Sequence, residues 1–139
     1  GKIHGCQVRS LRGDPAVYQL FEKPVPGTFT FTSQPTKTLE SDAGTPPMEV
    51  LPLILEAMRR HDEFTQARVL VPDDSAFKPG TEKPRPMEDE PDLELTRAVW
   101  DKASGGVTPD TCESVLPYDS YRIRRLYAHW VENAALETR

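Results

Sequence analysis

Fourteen prolines fall in a chain of 139 residues, and no other feature limits its architecture as much. Proline has a fixed φ and no backbone N–H, so it sits in the first turn of a helix or at a strand edge and breaks any longer element it enters. The residue before it is pushed out of the helical region as well. Helices in this chain must therefore begin at prolines or stop short of them. Pro72, Pro79, Pro84, Pro86 and Pro91 crowd residues 71–91, together with the acidic run Glu88-Asp89-Glu90. Few apolar anchors accompany them, so this stretch reads as a semi-extended connector outside any core. It divides the chain into a first domain at 1–70, a linker at 71–91 and a second domain at 92–139.

In the first domain, residues 2–8 alternate weakly, with Ile3 on one face and His4, Cys6 and Val8 on the other, as a strand would. Gly13-Asp14-Pro15 then offers Asp14 as a helix N-cap followed by proline at the first helical position. Val17, Leu20 and Phe21 share a face of that helix, which must end before Pro24 and Pro26. Residues 28–32, Thr-Phe-Thr-Phe-Thr, alternate cleanly and predict a half-buried strand carrying Phe29 and Phe31. Residues 33–47 are polar and turn-rich. From Pro47 onward Val50, Leu51, Ile54, Leu55 and Met58 recur at helical spacing, leaving Glu56, Arg59 and Arg60 for the outer face. Pro52 fits only in the first turn of that helix.

In the second domain Leu93, Arg97, Trp100 and Ser104 form a helical stripe that Leu95 and Val99 widen, and Gly105-Gly106 ends the helix. Thr108-Pro109 opens a short helix through Cys112 and Val115 that Pro117 closes. Asp119 or Ser120 caps a third helix with Ile123, Leu126, Tyr127, Trp130 and Val131 on its buried side and Asn133 at its end. Residues 134–137 can turn back as a short strand. The expected fold class is α+β: a small sheet with helices, followed by a three-helix, winged-helix-like unit.

An apolar fraction of 37% is enough for a real core. The net charge of -5 argues against a chain whose main task is gripping phosphate backbones. Cys6 and Cys112 stand far apart with no CxxC spacing, which suits a reducing cytoplasm. No apolar run approaches the ~18 to 20 residues of a membrane span, and no signal peptide is expected. Gly1-Lys2-Ile3-His4-Gly5-Cys6 reads as a turn running straight into a strand, so further residues are expected upstream.

Three segments together carry a likeness: Gly1-Lys2-Ile3-His4-Gly5-Cys6, then Gly13-Asp14-Pro15-Ala16-Val17-Tyr18-Gln19-Leu20, then Gly27-Thr28-Phe29-Thr30-Phe31. Residues 53–63, an amphipathic helix ending in an arginine and acidic cluster, extend it. The first half of the chain thereby resembles the PATAN domain family, a bacterial signalling module often found beside receiver domains. Residues 93–136 resemble the winged-helix-like segment into which many relatives continue. The resemblance implies a further helix and strands before residue 1. It also implies protein–protein contact in regulation, including type IV pilus motility, with a receiver domain or a pilus-motor component as partner and no catalytic residues to carry over. A sheet missing its N-terminal piece would leave an open edge for pairing with another chain.

The residues offer little chemistry of their own. His4 and Cys6 would share a strand face, but two ligands do not close a zinc site, and Cys112 or His129 would have to come across the linker. No metal site is expected. His61-Asp62-Glu63 reads as an ion cluster bracing a helix end, pairing with Arg59 or Arg68. Neither Ser75 nor Ser114 has the base and oxyanion support of a nucleophile, and no glycine loop for a nucleotide occurs. No enzyme activity and no cofactor are therefore expected. Arg122, Arg124 and Arg125 lie on the helix that a helix-turn-helix protein would present to DNA, yet Glu113, Asp119, Glu132 and Glu137 surround them. Together with Tyr118 and Tyr121 they are instead expected to form a partner-binding surface, since tyrosine and arginine anchor interfaces. A DNA-binding regulator and an architectural subunit of a larger complex are the alternatives.

Overall fold

A computed structural model describes residues 2–24 and 48–139. The strand expected at 28–32 and the loop at 33–47 lie outside these residues. The described residues form an α+β fold of five helices and three two-stranded antiparallel sheets. The chain divides into two units, Gly1–His61 and Asp62–Arg139.

In the first unit β1 (Lys2–Ile3) pairs with β4 (Met48–Glu49), Lys2 opposite Glu49 and Ile3 opposite Met48. β2 (Gln7–Val8) and β3 (Leu11–Arg12) make a hairpin, whose tight turn holds Arg9 at φ 55°. The expected strand over 2–8 is thus broken at residues 4–6, because its two ends pair with different partners. Helix α1 (Asp14–Glu22) follows. Asp14 is its first helical residue rather than its cap. That place belongs to Gly13, at φ 69°, a backbone region open to glycine. The Gly13 carbonyl accepts from Ala16 N and Val17 N at 3.1 and 3.2 Å. Ala16, Val17 and Tyr18 are buried whereas Leu20 and Phe21 stand exposed, contrary to the expected stripe. The small Ala16 lets the helix lie close to the β2–β3 hairpin. Val17, Tyr18, Met48, Leu53 and Ala57 form the core of this unit, with Ile3 and Cys6 against it.

Helix α2 (Val50–Leu70) contributes residues 50–61 to the first unit and 62–70 to the second. Pro52 sits in its first turn, as its missing N–H requires. The buried stripe is not the expected one. Leu51, Leu55 and Met58 are 68%, 59% and 55% exposed, while Leu53, Ala57, Phe64 and Ala67 are buried. Continuity decides between the two stripes. Beyond Met58 the first runs into Asp62 and Thr65, whereas the second continues at helical spacing through Phe64 and Ala67 to Val71. Within the first unit Arg60 lays its guanidinium 4.2 Å above the Tyr18 ring, a cation–π contact.

The second unit is built from β5 (Phe77–Pro79), α3 (Leu93–Ser104), α4 (Pro109–Val115), α5 (Ser120–Glu132) and β6 (Leu136–Thr138). The caps work as the residues predict. Thr108 Oγ1 accepts from Thr111 N at 3.3 Å, with Pro109 at the first helical position. Asp119 accepts from Arg122 N at 2.9 Å. Asn133 ends α5, its Nδ2 donating to the His129 carbonyl at 2.7 Å. Asp92 adds an N-cap to α3, accepting from Glu94 N and Leu95 N at 3.0 Å each. After α5, Ala134 turns the chain at φ 55° and β6 pairs with β5, Phe77 opposite Thr138 and Pro79 opposite Leu136.

Residues 71–91 are not a connector outside the core. Val71 and Phe77 are buried in the same cluster as Leu95, Val99, Ile123, Leu126, Tyr127 and Trp130, with Met87 packed against it. Phe77 meets Tyr127 edge-on at 5.7 Å, and Trp100 meets Trp130 at 5.1 Å. Gly80 N and Glu82 N donate to the Ala135 and Ala134 carbonyls at 2.8 and 3.0 Å. The prolines hold the strand extended while widely spaced anchors fix it, so the boundary falls at His61 and Asp62 instead.

Candidate interaction surface

Helix α5 organises the candidate surface, because its face toward the core and its flanks carry the arginines. On the core side, Arg124 has no exposed surface at all. Its Nε donates to Glu113 Oε1 at 2.7 Å, and its Nη1 to the Val71 carbonyl at 2.7 Å and to Asp73 Oδ1 at 2.8 Å. The guanidinium also lies 5.4 Å from the Phe64 ring centre. Burial alone would raise the Asp73 carboxyl, but hydrogen bonds from Arg68 and Arg124 overcome it and hold the group below its ordinary range.

On one flank Arg122 grips Glu90 with both Nε and Nη2, at 2.8 and 2.7 Å, and Asp92 lies at 3.6 Å. This bidentate pairing is the strong form of an arginine–carboxylate contact, and it raises the Arg122 pKa above its ordinary value. Tyr118 lies beneath the same guanidinium, ring centre 5.8 Å away. On the other flank Arg125 reaches Asp89 at 3.1 Å and covers the Tyr121 ring at 5.2 Å. Tyr121 is itself buried, and its hydroxyl donates to Glu63.

Two of the five residues expected to bind a partner, Tyr121 and Arg124, are therefore interior. Their side chains serve packing and an internal ion cluster. Tyr118, Arg122 and Arg125 remain half-buried at the surface. What the residue types did not reveal is their partners: Asp89 and Glu90 come from the acidic run at 88–90, and Asp73 and Asp92 from the ends of the proline-rich stretch. The signal was a compact acidic run matched by a compact basic one about 35 residues later. It points to long-range pairing only once the intervening chain is known to fold back.

Next to Arg125 an open groove of about 660 Å³ runs between the end of α2 and the outer side of α5. Ala67, Leu70, Met87 and Ala128 line it, with Glu63 and Glu132 among its carboxylates. A smaller, mainly apolar hollow of about 210 Å³ lies beside Trp100 and Trp130, walled by Pro84, Pro86 and Leu93.

Burial pushes the Cys112 thiol up to about 11, so it stays protonated and a poor nucleophile or ligand. Burial raises the Cys6 thiol too. His61 Nδ1 lies 3.0 Å from the Phe21 carbonyl. Arg59 bonds Glu56 and Arg68 bonds Asp73. Ser114 Oγ donates to the Thr111 carbonyl at 2.8 Å. Among the described residues no group of three or more His, Cys, Asp or Glu side chains is placed to hold a metal ion. None of the described helices is long and apolar enough to cross a membrane. Compared with protein-family models, curated proteins and solved structures, the chain matches none.

Proposed function

We propose that this chain is a non-catalytic protein–protein interaction module, an adaptor of the PATAN type acting in bacterial signalling, motility regulation or complex assembly. The observation that carries the reading is the pairing of all three α5 arginines with carboxylates of their own unit. Phosphate binding needs cations that can be shared with the backbone of a nucleic acid. Here Glu90 and Asp92 hold Arg122, Glu113 and Asp73 hold Arg124, and Asp89 holds Arg125. A duplex approaching α5 would meet the exposed Asp89 carboxylate ahead of Arg125 and would find Arg122 already held by Glu90. A protein partner finds a different surface: half-buried tyrosine and arginine with their charges already balanced, the composition of interface anchors.

The partner class proposed is a receiver domain or a pilus-motor component in the cytoplasm. Cross-linked co-purification of the full chain from its native cell tests this, with Tyr118→Asp and Arg125→Ser variants alongside. The expected result is a partner protein, in near-equal amount, retained by the wild type and lost from at least one variant. Recovery of nucleic acid in place of protein would overturn the reading and favour a DNA-binding regulator.

A further inference from the structure

We infer that the groove between the end of α2 and the outer side of α5 docks a basic amphipathic helix of a partner protein. This rests on the adaptor reading above and names the surface and the chemistry of its partner. The groove has three walls: Glu63, Ala67 and Leu70 from α2, Met87 and Asp89 from the chain that crosses beneath, and Ala128 and Glu132 among those from α5. Two helices side by side leave a furrow into which the ridge of a third can pack, and helix-in-groove docking needs an apolar floor at such a furrow. Ala67 and Ala128 keep this floor low, while Met87 supplies an adaptable thioether. Leu70 adds a partly exposed apolar wall, and Val69 beside it is 82% exposed.

Charge selects the occupant. Of the charged side chains that line it, Glu63, Asp89 and Glu132 are carboxylates and Arg125 is a guanidinium, beside the imidazole of His129; Asp89 engages Arg125 at 3.1 Å and Glu63 accepts from the Tyr121 hydroxyl. The groove is therefore net acidic. The last turns of both α2 and α5 line it as well, and helix C-termini carry partial negative charge from their outward carbonyls. An apolar floor with an acidic rim is the complement of a helix bearing leucine-like residues at i, i+3, i+4 and i+7 and lysine or arginine on either side.

Fluorescence anisotropy with the full chain tests the inference. The probe is a labelled Leu/Lys peptide with leucines at that spacing, and a Leu/Glu peptide of the same pattern is the control. The wild type is expected to bind the Leu/Lys probe and not the control. Ala128→Phe fills the groove without changing charge, and Glu132→Gln removes one rim carboxylate at an exposed site. Ala128→Phe is expected to weaken binding by about tenfold or more, and Glu132→Gln by roughly two- to fivefold. Unchanged affinity in Glu132→Gln and in a folded Ala128→Phe would show mere attraction of a cation to an acidic protein and overturn the inference. So would failure of the wild type to bind the probe. In either of those cases a partner recovered by co-purification would leave the adaptor reading standing, whereas recovery of nucleic acid alone would remove both.

Discussion

Arg124 shows at the scale of one residue how a charge that looks like a ligand contact can be a structural element. Its three hydrogen-bonded partners come from two separate stretches, 71–73 and 113, so it ties the proline-rich segment to α4 and α5. Arg124→Met leaves the Glu113 carboxylate in the interior with its main counter-charge gone, which typically costs about 3–5 kcal/mol. Replacing both partners, as in Arg124→Met/Glu113→Met, is expected to recover most of that loss. Urea denaturation followed by tryptophan fluorescence reads both, because Trp100 and Trp130 belong to the same unit. Glu56 is the corresponding residue in the first unit. Hydrogen bonds from Arg59 and then Arg60 lower its carboxyl from 4.5 to about 2. A depressed folded-state pKa means stability that is complete above the ordinary value and lost as pH falls from about 4.5 toward 2. Amide exchange over residues 50–61 is therefore expected to accelerate through that window in the wild type. Glu56→Gln, already without the pairing, is expected to show a shallower change.

The elements were legible wherever a local rule governs them. Thr108-Pro109, Asp119, Asn133 and Gly105-Gly106 mark helix ends through contacts within a few residues, and the helices begin and end there. Two kinds of feature were not legible. One is the choice between competing stripes on α2, which depends on what packs against it along its whole length. The other is the segment 71–91, whose prolines look the same in a linker and in a strand that pairs with β6. Gly80 makes the second case testable. A Cβ added there would lie 2.2 Å from the Ala134 carbonyl oxygen, and a backbone atom cannot rotate away. Gly80→Ala is expected to destabilise the second unit by about 1–3 kcal/mol, read as a lowered thermal midpoint. An unchanged midpoint would mean that the β5–β6 pairing is not as described. The candidate surface was read from residue type alone. Its arginines and tyrosines were singled out as a group, but the one-residue offsets that put Tyr121 and Arg124 inside and Arg122 and Arg125 at the surface depend on how α5 is rotated against the core.

For the whole molecule, a net charge of -5 combines with α5 arginines that are each paired with a carboxylate of their own unit. A surface that meets proteins and does not track phosphates is therefore expected. The most direct measurement is the binding of a labelled random-sequence duplex to the full chain between 50 and 200 mM salt. The expected result is no measurable saturation at any salt, or weak association with a shallow slope. Saturable binding that falls by about 10³–10⁵ over that range, the behaviour of a protein making 6–10 phosphate contacts, would contradict it.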